Sequence, residues 1–297
     1  MEQFPAPHAT GTELQVPKLL YHYTSARGLL GMLGHGELWA THCAFLNDSQ
    51  EYLFVFDLAA QALGVRDPRR LGTHRKLDSL RKHSPIYEQI AAAIDARLNK
   101  GAPNIFAASF TPHGNDLSLW RGYTRPGDAY SIAFDTATLT EKAHQDGWSL
   151  APVTYGTDVA DWVNGLIDSL VRRAGANKDS ADDQAQLLAS RWIDHLTKHA
   201  PLMKHGSFMA EQEWRLVREE RDGTHAVWEF REGTSSLIPY VKFRFAIDRM
   251  DSAAVHAICG PTSDQSLATK ALGLFASSRL NTVSHGVSPG DGSYRAW

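Results

Sequence analysis

An α+β fold is the class this chain predicts. Strand-like segments fall into two groups, before residue 158 and after residue 204, with a stretch of helical periodicity between them. The regular β-α-β alternation that a doubly wound parallel sheet requires is scarce, so largely antiparallel sheets are expected. No composition shift marks a domain boundary. The reading is a flexible lead-in over residues 1–18, then a single domain over 19–297 with a helical insertion at about 158–204.

Each element has a local cause. "LLYHYTS" (19–25) reads as a strand, and Ser25 caps a short helix, "ARGLLGML", that Gly34 or Gly36 ends. "ELWATHCAF" (37–45) is a second strand. After a turn at Asn47, Asp48 and Glu51 have the spacing of a capping box, opening a helix. Residues 65–82 are basic and broken, a loop. Ser84-Pro85 starts another helix, with proline at its first position, running to about Leu98. Strands follow at 105–111, 129–135 and 149–156. "NDLSLWRGYTRPGD" supplies a helical turn between the first two. In the insertion, Trp162, Val163, Leu166, Ile167 and Leu170 share one helical face; Leu188, Trp192, Ile193 and Leu196 share another. "SFMAEQEWRLVRE", "SLIPYVKFRFAI" and "AVHAICGP" read as strands, followed by a helix at about 264–276 and a last strand near "NTVSH".

Composition weighs against several classes, and a nucleic-acid partner is weakened rather than excluded. A formal charge of −3 gives no basic footprint for nucleic acid. Cys43 and Cys259 stand far apart, which argues against a disulfide framework or a cysteine zinc site and fits a reducing cytoplasm. No run of 18 apolar residues is present, so no membrane partner is expected. The N-terminus lacks the basic start and apolar core of a signal peptide.

The motifs that carry chemistry are few. His195 and His199 are four apart on a helix, as zinc-binding pairs are, but Leu196 stands where the protease motif needs Glu, so a solvated polar face is expected and no metal. Gly28, Gly31, Gly34 and Gly36 match neither GxGxxG nor the P-loop; a tight helix and its C-cap explain them. GxSxG is absent. Three remaining features each have a bland explanation. His22 lies mid-strand between Tyr21 and Tyr23, where a core imidazole would bond to backbone. Trp120, Arg121 and Tyr123 crowd one helical turn, with both rings expected to pack on the core. In "SFMAEQEWRLVREE", a strand would set Glu211, Glu213 and Arg215 on one face, either solvated and ion-paired or lining a cleft.

"LYHYTSARGLLGMLGHGELWATHCAFLNDSQE", "SFTPHGNDLSLWRGY" and "AEQEWRLV" together resemble an uncharacterised bacterial family of unknown function, over about residues 19–260 without the insertion. More loosely, a strand His, a central aromatic element and a late Glu are similar to the ADP-ribosyltransferase superfamily, closest to its His-Tyr-Glu subgroup. That resemblance implies split, mostly antiparallel sheets with surrounding helices. It implies NAD as substrate, no metal, and an acceptor drawn from protein, nucleic acid or small molecules. His22, with Tyr23 and Thr24, matches the NAD-binding strand; Trp120 or Tyr123 matches the aromatic that stacks on nicotinamide. Glu213 matches the catalytic Glu and Glu211 its accessory. Arg121 or Arg27 would meet the pyrophosphate. Arg295, in Ser293-Tyr294-Arg295, departs from a Pro-Tyr-Arg ending. The resemblance also implies a toxin, effector or phage-defence role with a cognate inhibitor. An NAD glycohydrolase or another nucleotide-processing enzyme on the same cleft, and a non-catalytic binding module, remain alternatives.

Overall fold

The computed structural model describes residues 4, 7, 15–46, 51–64, 84–100, 103–176, 182–220, 228–246, 251–278 and 283–290. β1 (Leu19–Thr24) leads into α1 (Ala26–His35). Ser25 caps α1 as its sequence predicts, its hydroxyl accepting from the Gly28 amide at 3.2 Å. Gly36 ends α1 with φ 67°, and a Cβ there would lie 2.4 Å from the Ala246 carbonyl oxygen, so only glycine fits. β2 (Glu37–His42) stops three residues short of the predicted end because Cys43–Phe45 wind into a 3-10 turn. α2 (Glu51–Leu63) and α3 (Ser84–Lys100) follow. Asp48 of the proposed capping box and the 65–82 loop lie outside the described residues.

β3 (Ile105–Phe110), α4 (Leu117–Tyr123) and β4 (Tyr130–Asp135) come where expected. α5 (Thr136–Gln145) does not: its threonines give weak helical propensity, but Asp135 caps it by accepting from the Thr138 amide at 2.9 Å. The single strand expected at 149–156 is two, β5 (Ser149–Pro152) and β6 (Thr154–Tyr155), in different sheets. α6 (Gly156–Ala176) and α7 (Asp182–His199) form the expected helical pair, and β7 (Met203–Lys204) follows.

The largest correction falls on 207–213. These residues are not strand: Gly206–Glu211 is a 3-10 turn, and β8 begins only at Trp214 (Trp214–Glu219). β9 (Glu229–Glu232), β10 (Leu237–Arg244), β11 (Ala254–Cys259), α8 (Gln265–Ser278) and β12 (Val287–Pro289) complete the order. The last strand thus lies just beyond its predicted place at 281–285.

The chain divides into two compact units. The first takes its described residues from 1–13, 43–105 and 153–209. It packs α2, α3, α6 and α7 about Phe56, Leu63, Ile94, Leu166 and Trp192, with β6 and β7 paired in parallel. The insertion helices therefore share a core with α2 and α3. Phe4 is buried here too, its ring 5.7 Å from that of His195 and 4.3 Å from the Arg173 guanidinium.

The second unit takes 14–42, 106–152 and 210–297. One sheet has order β1-β4-β11-β12, the other β5-β8-β3-β2-β10-β9. β1–β4, β4–β11, β2–β3, β2–β10, β9–β10 and β5–β8 are antiparallel; β12 joins β11 in parallel, so the first sheet is mixed. Phe110, Phe134 and Phe245 meet edge to face, 5.4 and 5.1 Å apart, at the centre of its core. Each such ring contributes about 1.5–3 kcal/mol by burial. No helix among the described residues is long and apolar enough to cross a membrane.

Candidate functional site

The site begins where β2 and β3 part. Each is six residues long, yet they share only the pairs Thr41↔Ala107 and His42↔Phe106. Beyond this β3 turns to β1, where Tyr21 and Thr111 exchange two backbone hydrogen bonds of 2.7 and 3.0 Å. His22 follows at that junction. Its Nδ1–H donates to the Ser109 carbonyl oxygen at 2.8 Å, which leaves Nε2 as the acceptor of the neutral ring. Burial holds its pKa below the ordinary value, partly opposed by the Ser109 bond. The backbone bond expected of a core imidazole is therefore present, through Nδ1.

The carboxylates arrive by a different route from the alternation the sequence predicts. Thr111 Oγ1 donates to the Glu211 carbonyl oxygen at 2.8 Å and holds the end of the 3-10 turn. Gln212 then takes φ 44°, the left-handed region that non-glycine residues avoid, so the two glutamates are not joined by extended strand. Glu211 accepts from the Tyr123 hydroxyl at 2.5 Å. Glu213 has both oxygens on the Arg215 guanidinium, at 2.7 and 3.0 Å, and the two residues are 4% and 2% exposed. A solvated, weak surface pair is thus ruled out for Glu213: this is a buried bidentate pair.

His22, Tyr23, Tyr123, Glu211 and Glu213 line one concavity of about 50 Å³, together with Tyr21. Tyr23 is fixed by donating its hydroxyl to the His113 carbonyl at 2.7 Å and accepting from the Asp116 amide at 3.0 Å, and burial raises its pKa. Gly114 stands against the Tyr21 ring, where a Cβ would lie 2.3 Å from Cε1. His22 also lines a second cavity, of about 300 Å³, which includes Thr24 and Arg27 and also Trp39, Thr41 and Arg231.

Trp120 and Arg121 do not join either cavity. Trp120 is buried against Tyr23, with ring centroids 4.5 Å apart, and its Nε1–H donates to Asn115 Oδ1 at 3.0 Å. Its packing role is the one expected of a core ring. Tyr123, three residues on, is not core: it is at the surface and turned to Glu211. Tyr123 is the ring beside the carboxylates, and Trp120 is not. Arg121 lines a separate shallow hollow with Trp120 and Pro261. Arg295 lies outside the described residues.

Sequence reasoning missed Trp39, Thr41 and Arg231. Trp39 and Thr41 alternate with the core residues Leu38 and Ala40, so period-two spacing marks their shared outer face but gives no reason to prefer it. Arg231 sits on β9, a short polar strand without an alternating signal. The His195–His199 pair is corrected: rather than a solvated face, the rings are half-buried, 4.6 Å apart, with Trp162 packed on both. Among the described residues no group of three or more His, Cys, Asp or Glu is arranged to hold a metal ion.

Residues 119–216 match a family described as Protein of unknown function (DUF2971). The match takes in part of the SLWRGY-type helix, the insertion and the EWR-type strand, and does not extend to the LYHYTS- and FLND-type segments. No curated protein and no solved structure shows significant similarity to the chain.

Proposed function

We propose that the second unit is an NAD-dependent mono-ADP-ribosyltransferase-like enzyme. One observation carries this reading: His22, Tyr123, Glu211 and Glu213, from segments far apart in sequence, line a single concavity. The reaction breaks the bond between nicotinamide and ribose. Nicotinamide leaves with the bonding electron pair, and positive charge develops on the ribose. A carboxylate held beside that carbon stabilises the charge, and a nucleophile of the acceptor then bonds to it and gives up its proton. Glu213 is the charge-stabilising group in this reading, with its ionised form supported by Arg215. Glu211, tethered to Tyr123, meets the acceptor or a ribose hydroxyl. His22 offers Nε2 to a second hydroxyl, and the exposed Tyr123 ring supports nicotinamide. Water as the acceptor would make the same site an NAD glycohydrolase.

A second reading is favoured by the Glu213–Arg215 geometry. Both carboxylate oxygens are already engaged. A non-catalytic module that binds a ligand beside His22 needs no freer Glu213.

The test is purified protein with labelled NAD, with and without cell extract, alongside Glu213→Gln and Glu211→Gln. Label transfer that each variant lowers by roughly a hundredfold or more, with circular dichroism unchanged, is the expected result. Nicotinamide release without transfer would favour the hydrolase. Neither signal from folded protein would sink the enzyme and leave the binding module.

A further inference from the structure

The cavity of about 300 Å³ beside His22 is the size of a small-ligand pocket. Its lining is chemically uneven. Arg27 and Arg231 enter it, against one carboxylate, Glu232. Neither guanidinium is in an ion pair with a carboxylate among the described residues; Arg231 donates from Nη2 to Thr41 Oγ1 at 3.0 Å. Arg231 is half-buried, and desolvation lowers its pKa. A partly desolvated cation without a counter-ion is a cost that an arriving anion removes. Thr24 and Ser25 bring hydroxyls to the same wall. Trp39 lines the cavity too, 41% exposed, its ring stacked on Tyr240 at 4.4 Å and 19°. Tyr240 is itself held by Glu229, to which its hydroxyl donates at 2.7 Å. The indole is therefore a braced platform for a flat ring.

We infer that this cavity binds a nucleoside diphosphate group, with Arg231 holding the phosphates and Trp39 supporting the base. Guanidinium matches phosphate oxygens through two parallel N–H bonds, and Thr41 fixes the orientation of that fork. The inference deepens the dinucleotide reading above and rests on it for what is attached to the phosphates. It makes the β9–β10 hairpin, rather than Arg121, a source of phosphate recognition, together with Arg27.

Calorimetric titration of the full chain with ADP and with pyrophosphate tests it. ADP should bind the wild type, pyrophosphate should compete, and affinity should fall as salt rises. Arg231→Gln should weaken ADP roughly ten- to a hundredfold, Arg231→Lys less. Trp39→Ala should weaken ADP and leave pyrophosphate unchanged. Wild-type affinity for ADP in Arg231→Gln overturns the inference, as does absence of binding by folded wild-type protein. ADP binding that depends on Arg231, without any NAD turnover, keeps this site and sinks the transferase. NAD turnover with an unchanged KM in Arg231→Gln does the reverse.

Discussion

Two charged cavities in the second unit make opposite use of their ions. The larger, about 550 Å³, is lined by Glu37, Lys142, Trp148, Arg218, Lys242 and Arg244, among others. Every one of its cations is matched: Lys142 with Asp251 at 2.7 Å, Arg218 with Glu220 at 2.5 Å, Lys242 with Glu229 at 2.6 Å, Arg244 with Glu37 at 3.0 Å. In the cavity beside His22, neither Arg27 nor Arg231 forms an ion pair with a carboxylate among the described residues. Size alone would favour the cavity whose cations are already paired. Charge already neutralised by the protein has little to offer a ligand, and must be unpaired before it can bind one. On the inference above, the smaller cavity, not the larger, draws an anion.

Ion pairs can also be contrasted by burial, and the largest effect is expected at Glu213, which lines the carboxylate concavity. Glu213→Ala strands a buried Arg215 and should cost about 3–5 kcal/mol, read by denaturant unfolding. Glu229→Ala, in the partly exposed network around Lys242, should cost less than about 1 kcal/mol. Equal effects would mean that burial does not set the Glu213–Arg215 pair apart from the Glu229–Lys242 pair. Next comes acid. His22 and His42 both have pKa values lowered by burial, so folding favours their neutral forms. Their contribution is full above the unfolded value of about 6.5 and is lost as pH falls through it toward the folded values. Stability should therefore drop between pH 7.5 and 5.5, and His22→Gln should flatten part of that slope; an unchanged slope would remove His22 from the account. The smallest effect is at Gln212. Gln212→Gly relieves a φ of 44° and should change stability by less than about 1 kcal/mol, whereas Gln212→Val should lower it by about 1–2 kcal/mol.

Much of the frame was legible in the sequence because its signals are local. Ser25 and Gly36 bound α1 by hydrogen bonding and backbone freedom, and both act within a few residues. The helical faces of α6 and α7 are set by burial at period 3.6. The residues around Glu211 were legible in identity but not in shape. Alternating polar and apolar residues over 207–213 imitate a strand, while the left-handed Gln212 carries no sequence mark and is held by Thr111, a hundred residues away. β9 was invisible for a similar reason: "EFRE" gains its strand conformation from pairing with β10, not from its own composition. With it went Arg231. That β2 and β3 share only two residue pairs likewise has no local signature.

Gly114 carries a consequence for how such a site can change over time. The Tyr21 ring occupies the space that any side chain at 114 would need. The two positions are therefore bound in a single choice: a relative that acquires even a methyl group at 114 must shrink or swing the residue at 21. That would remodel a wall of the carboxylate concavity without touching His22, Tyr123 or either glutamate. Across many relatives, these positions should substitute in concert, with the glycine kept wherever the large ring is kept.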